Sequence, residues 1–498
     1  MSNDKPLQDE SAAPAGIARR DVLLGGGALM AARLAGALGV SAAAAGAIAQ
    51  SADAAGTTKP NILFILCDDL GWHDVGYHGS DIKTPNLDKL AETGARLEEY
   101  YVQPMCTPTR AAFLTGRYPI RYGLQTAVIP SAGRYGLATD EWLLPQALKQ
   151  AGYSTALVGK WHVGHFDVKY WPGERGFDQT YGPLIGEIDH FTHASHGVTD
   201  WYRNGNLVKE PGYDTELFGA DAVRVIKEHD AGSPLFLYLA FTSPHTPYQA
   251  PQKYLDMYQG ITDPLRRAYA GQITAMDDQI GVVIDALEKR NMHENTLVFF
   301  VSDNGGTRSS MFVGEAAVKG ELPPNNSPYR DGKGSVYEGG TRVVALANWP
   351  GHIKPGVVNE MMHVVDMYPT FVALAGGQLG KNKPLDGLDV WSSISEDKPS
   401  PRQDMVYNVE PYRAGVRKGD WKLVWMTLLP PSVELFDLSK DPYEKTNLAD
   451  QYPDKVKELQ AWSIDLAKQA APPLFMMEMV RLGLSHAPQF PDLGGTDD

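Results

Sequence analysis

Four short apolar segments of the chain are each followed by side chains that could bind a metal ion or transfer a proton. Segments that are apolar nearly throughout are typical of strands covered on both faces. The carboxyl ends of parallel strands meet at one edge of a sheet, where ligands bind. The sequence therefore predicts that three carboxylates, an amide, two histidines and a lysine lie close together. In chain order these residues are Asp68, Asp69, Lys160, His162, His245, Asp303 and Asn304.

The oxygen-bearing side chains of Asp68, Asp69, Asp303 and Asn304 predict a divalent metal site. Carboxylate and amide oxygens suit Ca²⁺ or Mg²⁺ rather than Zn²⁺, and clustered aspartates would repel one another without a cation. Ca²⁺ is favoured and Mg²⁺ is possible, because several protein oxygens converge without an obvious need for retained waters. A single Asp-Asn-Gly segment is more often a solvated turn, so the prediction depends on all four side chains meeting.

Cys106 precedes a predicted helix and begins the segment CTPTR, which is followed shortly by LTGR. One interpretation is a plain thiol whose pKa is lowered by the N-terminus of the helix. The other is that the pattern Cys-x-Pro-x-Arg running into Leu-Thr-Gly-Arg resembles the sulfatase family. In that family the cysteine is oxidised to formylglycine, an aldehyde that becomes the catalytic nucleophile. The resemblance extends from roughly Lys59 to Asp450.

The resemblance implies a role for each residue at the predicted sheet edge. Residues that match the family's metal ligands are Asp68, Asp69, Asp303 and Asn304, with converted Cys106 completing the shell. Residues that match its sulfate-binding and proton-transfer groups are Arg110, Lys160, His162, His245 and Lys333. In the implied mechanism His245 donates a proton to the leaving oxygen with help from Lys333, and His162 accepts a proton when the aldehyde re-forms.

The implied reaction is the hydrolysis of aryl or carbohydrate sulfate monoesters by a formylglycine hydrate and a divalent metal. The implied partners are a sulfated small molecule or glycan and a formylglycine-generating enzyme that matures Cys106. The segments TGRYPIRYGLQ and YDTELF look most like the arylsulfatase B branch, the N-acetylgalactosamine-4-sulfatases. Two other functions stay open: a phosphonate or phosphate monoester hydrolase of the same superfamily, and a non-catalytic, metal-bound exported protein that binds glycans.

The alternation of apolar runs with helical patterns predicts an α/β fold with a mostly parallel sheet. The resemblance implies an alkaline-phosphatase-like large mixed sheet flanked by helices, in a catalytic domain at 59–395. From about Pro401, short strand patterns around a Gly-Asp turn predict a small antiparallel sheet, closed by a helix from about Asp454 to Gln469. This sheet, its helix and a loosely patterned tail make up a second subdomain at 396–498.

Residues 1–49 resemble a twin-arginine export signal, with Arg19-Arg20 before an Ala/Gly-rich run and a small-residue cleavage site at Ala47-Ile48-Ala49. A membrane anchor is the alternative for this segment. A cleaved signal predicts a bacterial protein that is periplasmic or secreted, without stable membrane insertion after cleavage. The net charge of −15 argues against nucleic acid or an anionic membrane as the main partner.

Five further histidines and a second cysteine have no assigned chemistry. Three of these histidines lie in the segment IDHFTHASHG, where a polar loop near the site is favoured over substrate contacts or a second metal site. Cys67 lies in a strand pattern and is predicted to be a buried, small apolar residue. The histidines are His73, His78, His190, His193 and His196.

Overall fold

The computed structural model describes residues 59–312 and 321–485, so the predicted export signal at 1–49 lies outside the described residues. The strands in chain order are β1 (Asn61–Cys67), β2 (Ala95–Leu97), β3 (Tyr100–Tyr101), β4 (Ser154–Gly159), β5 (Gln179–Gly182), β6 (Ala194–Ser195), β7 (Val198–Thr199), β8 (Tyr202–Arg203), β9 (Asn206–Leu207), β10 (Leu235–Ala240), β11 (Thr296–Ser302), β12 (Ala345–Asn348), β13 (Gly356–Val358), β14 (Met362–His363), β15 (Asp404–Val409), β16 (Arg413–Lys418), β17 (Trp421–Met426) and β18 (Ser432–Asp437). The α-helices are α1 (Pro85–Thr93), α2 (Cys106–Thr115), α3 (Leu144–Gln150), α4 (Asp214–Glu228), α5 (Gln252–Leu255), α6 (Pro264–Lys289), α7 (Glu338–Thr341), α8 (Met367–Leu374), α9 (Trp391–Glu396), α10 (Pro453–Gln469) and α11 (Leu474–Ser485).

The larger sheet has the strand order β13-β2-β12-β11-β1-β10-β4-β5-β8-β9. Its centre, from β11 through β1, β10 and β4 to β5, is parallel, and antiparallel pairs begin at β12 on one side and β8 on the other. The four apolar segments singled out in the sequence are β1, β4, β10 and β11, which are neighbours in the sheet. The predicted mixed, mostly parallel sheet is confirmed.

Both faces of the central strands are buried, which explains why their sequences are apolar at nearly every position. In β1, side chains alternate between the faces: Phe64 belongs to the core on one side of the sheet and Ile65 to the core on the other. Helices α2, α3 and α8 cover the first face, and α1, α4 and α6 cover the second. Cys67 is fully buried, as predicted.

Helix α2 is buried along its whole length. Its Phe113 stacks on Phe64 of β1 with 3.9 Å between the ring centroids, so the helix is held directly against the central strand. Cys106 is the first residue of this helix. The packing of α2 therefore sets where Cys106 lies relative to the carboxyl end of β1.

The smaller sheet has the antiparallel order β15-β16-β17-β18, with helix α10 packed against β16 and β17. This confirms the predicted C-terminal sheet and its helix. The fully buried Lys422 of β17 pairs with Glu338 of α7 and with Glu444, each at 2.8 Å. The small sheet is thereby joined to helix α7. Helix α11 was not expected, because the tail was predicted to be loosely patterned.

Candidate active site

The carboxyl ends of four adjacent parallel strands meet as the sequence predicts. Asp68 and Asp69 directly follow β1, and Asp303 and Asn304 directly follow β11. The backbone amide of Asp69 donates to Oδ1 of Asp303 at 3.3 Å, and Nδ2 of Asn304 donates to Oδ1 of Asp69 at 2.7 Å. Lys160 follows β4 at the same edge. All of these side chains are buried.

Cys106 lies against the aspartates that follow β1. Its Sγ atom is 3.1 Å from Oδ1 of Asp68 and 4.0 Å from Oδ1 of Asp69. Burial raises the pKa of the Cys106 thiol well above its ordinary value, and the charges of Asp303 and Asp68 raise it further. The interpretation of a thiol activated by the helix N-terminus therefore finds no support, because burial and the neighbouring carboxylates raise the pKa that a helix N-terminus would lower.

The residues at this edge fit a divalent cation. Burial and the neighbouring Asp68 raise the pKa of Asp303 to about 7. A raised pKa is expected where carboxylates lie close together, because their negative charges repel one another. Among residues 59–312 and 321–485, the buried Oδ1 of Asn304 has no hydrogen-bond partner, although buried polar atoms are normally paired. Within the described residues, one group places its possible ligand atoms within 4.8 Å of one another, namely Asp68, Asp69, Cys106 and His245.

Two fully buried cations face the carboxylates. Nε and Nη2 of Arg110 donate to Oδ2 of Asp303 at 3.1 and 2.9 Å, and Nη1 donates to the carbonyl of Lys160 at 3.0 Å. The Lys160 ammonium pairs with Asp68. Burial alone would raise the pKa of Asp68, but Lys160, His245 and Arg110 hold it well below its usual range. Buried charges persist only when partnered in this way.

A third cation, Lys333, comes from the loop before α7. Its ammonium lies 2.8 Å from Oδ2 of Asp69, and the residue is 6% exposed. Burial lowers the pKa of Lys333, but Asp69, with further contributions from Cys106 and Asp68, more than reverses this and leaves the pKa well above its ordinary value. Lys160 and Lys333 thus each pair with one of two adjacent aspartates.

His162 presents an unused ring nitrogen. Its Nε2 atom lies 3.2 Å from the carbonyl oxygen of Ile129, whereas the buried Nδ1 has no hydrogen-bond partner in the part of the chain that the structure describes. Burial, assisted by Lys160 and Arg110, holds the pKa of His162 well below its ordinary value. The ring is therefore neutral at neutral pH. Since Nε2 donates its hydrogen to the carbonyl, Nδ1 carries the free lone pair.

His245 lies in the loop after β10, with Nε2 3.7 Å from Oδ2 of Asp69. Nδ1 donates to the carbonyl of Thr246 at 2.7 Å. Burial, followed by the charge of Lys333, lowers the pKa of His245 to about 4. The ring is neutral at neutral pH, and Nε2 faces the carboxylates with its lone pair.

The three histidines of the IDHFTHASHG segment do not converge. His190 is buried and pairs with Asp214 behind His245, whereas His193 stacks on Trp201 at 4.1 Å between ring centroids. His196 is exposed. None of the three belongs to the group of possible metal ligands found in residues 59–312 and 321–485.

Sequence reasoning missed Tyr248, three residues after His245. Its hydroxyl is buried without a hydrogen-bond partner in the described part of the chain. Burial raises the pKa of this hydroxyl, and the charge of Asp69 raises it further. No residue spacing indicated this tyrosine, because only the path of the loop brings it near Asp69 and Lys333.

Two family models match the chain. The model described as Sulfatase matches residues 60–377, and the model described as N-sulphoglucosamine sulphohydrolase, C-terminal, matches residues 330–469. Together they span both sheets. The resemblance noted from the sequence is confirmed over most of the chain.

Curated relatives and solved structures agree with this assignment. Arylsulfatase J of Mus musculus is 37% identical over 84% of this chain and 77% of its own length, and N-acetylgalactosamine-6-sulfatase of Homo sapiens is 34% identical over 70% and 68%. The solved structure of Ps i-CgsB in complex with k-i-k-neocarrahexaose is 34% identical, with a TM-score of 0.76 over 87% of this chain and 99% of that one. These names do not single out a 4-sulfatase.

The predicted location is wrong. The curated relatives named above are mammalian enzymes, which contradicts a bacterial periplasmic protein exported by the twin-arginine route. The signal motif was itself irregular, with Ala18 before the arginine pair and Asp21 after it. Within the described residues no helix combines the length and apolar character needed to cross a membrane.

The buried edge of carboxylates and cations, the two matching family models and the relatives at 34–37% identity support one conclusion. The solved phosphonate monoester hydrolase of Agrobacterium radiobacter is 19% identical, with a TM-score of 0.56 over 82% of this chain and 96% of that one, a likeness that shows a shared fold alone. The chain belongs to the sulfatase family and is a sulfuric ester hydrolase.

Proposed function

We propose that this sulfatase hydrolyses a sulfate ester on a galactose-type sugar, using Cys106 converted to formylglycine and a bound calcium ion. The observation that carries the proposal is the contact of Cys106 Sγ with Asp68, 3.1 Å away, inside a buried cluster of carboxylates and cations. The sugar class is supported by relatives named for N-acetylgalactosamine and by a structural relative solved with neocarrahexaose. A formylglycine-generating enzyme is the required maturation partner.

Formylglycine at position 106 would supply, as its hydrate, one hydroxyl that attacks sulfur and a second that allows the aldehyde to re-form as sulfate leaves. Buried Cys106 is a poor nucleophile as a thiol, because burial raises its pKa. Its position at the start of α2, against Asp68, suits an oxygen nucleophile held by the same neighbours.

The residues that would hold the metal are Asp68, Asp69, Asp303 and Asn304, together with residue 106. Their hard oxygen atoms favour Ca²⁺, with Mg²⁺ as the alternative. The cation would act as a Lewis acid toward sulfate oxygens and the nucleophile. The unpartnered Oδ1 of Asn304 and the raised pKa of Asp303 support this assignment.

Arg110, Lys160 and Lys333 hold the sulfate group in this proposal. The three cations are buried, and each already makes a charged contact with a carboxylate of the site. A sulfate ester brings its own negative charge to the same place, so the cations can bind its oxygens without being desolvated first. Fixed positive charge of this kind is worth most where charge grows in the transition state.

The two histidines divide the proton transfers. His162 accepts a proton at its free Nδ1, consistent with a neutral ring whose pKa is held low. His245 delivers a proton from Nε2 to the leaving oxygen, assisted by Lys333. In the free protein the pKa of His245 is about 4, and the negative charge of a bound sulfate ester raises it toward the working pH.

The test is a comparison of substrates with the full-length protein matured alongside a formylglycine-generating enzyme. The assay measures kcat/KM for 4-nitrophenyl sulfate, for N-acetylgalactosamine 4-sulfate and 6-sulfate, and for neocarrahexaose. Aryl phosphonate and phosphate esters serve as controls. We expect sulfate release from at least one sugar sulfate to be the fastest reaction. Faster hydrolysis of the phosphonate or phosphate esters, or activity confined to aryl sulfate, would overturn the substrate assignment.

A further inference from the structure

Gly334, the residue after Lys333, is hydrogen-bonded to two other parts of the chain. The backbone amide of Gly334 donates to the carbonyl oxygen of Pro104 at 2.7 Å. Pro104 lies two residues before Cys106. On its other side, the carbonyl oxygen of Gly334 accepts a hydrogen bond from Nη1 of Arg413. One residue, Gly334, thus connects the lysine, the segment entering the nucleophile helix and the small C-terminal sheet.

The Arg413 guanidinium is itself fixed. Its Nε and Nη2 atoms donate to Oε1 of Glu410 at 3.0 and 2.7 Å, and Nδ2 of Asn408 donates to the same oxygen at 2.7 Å. The Glu410 side chain is fully buried, and that of Arg413 is 13% exposed. Because the guanidinium is planar with donors in fixed directions, occupying one edge with Glu410 determines where Nη1 can point.

The loop makes a tight turn at Gly334, and its position depends on the contacts that hold it. Gly334 has a φ of +86°, a backbone conformation that side chains other than glycine rarely adopt. A Cβ atom on this residue would lie 2.3 Å from the ring of Phe312. Lys333 is further held by its own amide, which donates to the carbonyl of Gly306 at 3.2 Å. The loop is therefore a close-fitted turn with Arg413 bound to it from outside.

We propose that Arg413 is a positioning residue for catalysis: it holds the Gly334 peptide so that the Lys333 ammonium stays beside Asp69 and aligned with residue 106. The inference rests on the proposed function, in which Lys333 holds the sulfate. Without Arg413 the Gly334 carbonyl loses its charged donor, and the Lys333 loop loses the contact that holds it from the side of the small sheet. A shift of about 1 Å in a positioning group costs about 10²-fold in rate.

The experiment is a double-mutant cycle with Arg413→Ala, Lys333→Ala and the combined variant, in the full-length matured protein. The substrate is 4-nitrophenyl sulfate, which has no sugar that could contact Arg413 directly. Lys418→Ala, at the exposed end of the same strand β16, is the matched control. Each preparation is checked for its formylglycine content by mass and for its melting temperature.

We expect Arg413→Ala to lower kcat by about 10²-fold in the native background and by less than about threefold in the Lys333→Ala background, since the two residues act as one unit. Arg413→Lys should retain part of the activity, and added guanidinium at non-denaturing concentration should partly rescue Arg413→Ala. Lys418→Ala should match the native protein. If Arg413→Ala lowered kcat by the same factor in the native and in the Lys333→Ala background, the inference would be overturned.

Two further outcomes separate this inference from the proposed function. Full activity of Lys333→Ala contradicts the role of Lys333 and therefore the proposed function. A large loss in Lys333→Ala with native activity in Arg413→Ala contradicts the positioning role alone. If Arg413→Ala does not fold, the same cycle is run with Arg413→Lys, which keeps the charge beside Glu410. That cycle then decides whether residues 413 and 333 affect kcat together or independently.

Discussion

Nδ1 of His190 lies 2.8 Å from Oδ2 of Asp214, and both side chains are buried. The other ring nitrogen of His190 lies 3.2 Å from the carbonyl oxygen of His245. Nε2 of Gln272 donates to the same carbonyl at 3.1 Å. The backbone carbonyl of His245, the histidine proposed as the proton donor, is therefore held by two buried side chains, those of His190 and Gln272.

Replacing His190 should disturb catalysis without removing any group that touches substrate. In His190→Gln the backbone of His245 loses one partner, and we expect kcat/KM for 4-nitrophenyl sulfate to fall by about tenfold, as is usual for residues that orient a site from behind. His193→Gln is the matched control, because His193 lies in the same loop but stacks on Trp201. Equal activity of the two variants would contradict the supporting role.

The His190–Asp214 pair should also make stability depend on pH. Burial lowers the pKa of His190, but the Asp214 carboxylate more than reverses this, so the pKa lies above its ordinary value. A raised folded-state pKa gives stability that is full below the unfolded value of about 6.5 and is lost as the pH rises through the folded pKa. In denaturant unfolding, the free energy of unfolding of His190→Gln should fall further below that of the native protein at acidic pH than at alkaline pH. A deficit that grows with pH would contradict this sign.

Removing divalent cations should abolish turnover and lower the melting temperature, since a ligand that binds only the folded state stabilises it. Activity should return with Ca²⁺ better than with Zn²⁺. Asn304→Leu should raise the calcium concentration for half-maximal activity by about 10–100-fold. The control is Asp277→Asn, which alters a buried carboxylate that accepts hydrogen bonds from the first amides of α1. This variant should leave the calcium concentration for half-maximal activity unchanged. Full activity after chelation would exclude the metal.

Cys106→Ser should stop after a single turnover. A serine offers one hydroxyl instead of the two of an aldehyde hydrate, so sulfate can be transferred to residue 106 but not expelled by re-forming an aldehyde. The expected result is release of one leaving group per protein molecule and a trapped sulfate ester, detected by intact mass. Sustained turnover in this variant would refute the proposed chemistry.

The packing of α2 on the central strand should dominate local stability. Phe113 is completely buried and stacks on Phe64, so Phe113→Ala should lower the free energy of unfolding by about 3–5 kcal/mol. Leu429→Ala, at a residue 92% exposed, should change it by less than about 0.5 kcal/mol. Similar values for both variants in denaturant unfolding would contradict the described packing.

The central strands and the residues that follow them could be predicted because the signal is local. A strand covered on both faces must be apolar, and the residues after it must lie at the sheet edge, which is why Asp68 and Asp303 were found together. Arg413 and Tyr248 could not be predicted, since the contact of Arg413 with Gly334 and the position of Tyr248 near Asp69 depend on segments far apart in the chain. The segment that contains His190 was predicted to be a polar loop near the site, but the pairing of His190 with Asp214 has no counterpart in residue spacing.

The central claim is the conversion of Cys106, and the direct measurement is the mass of the peptide that contains this residue, taken from active protein. Formylglycine is about 18 Da lighter than the cysteine it replaces. We expect the lighter peptide, with its abundance rising in proportion to specific activity across preparations matured to different extents. An unmodified thiol in fully active protein would contradict the account.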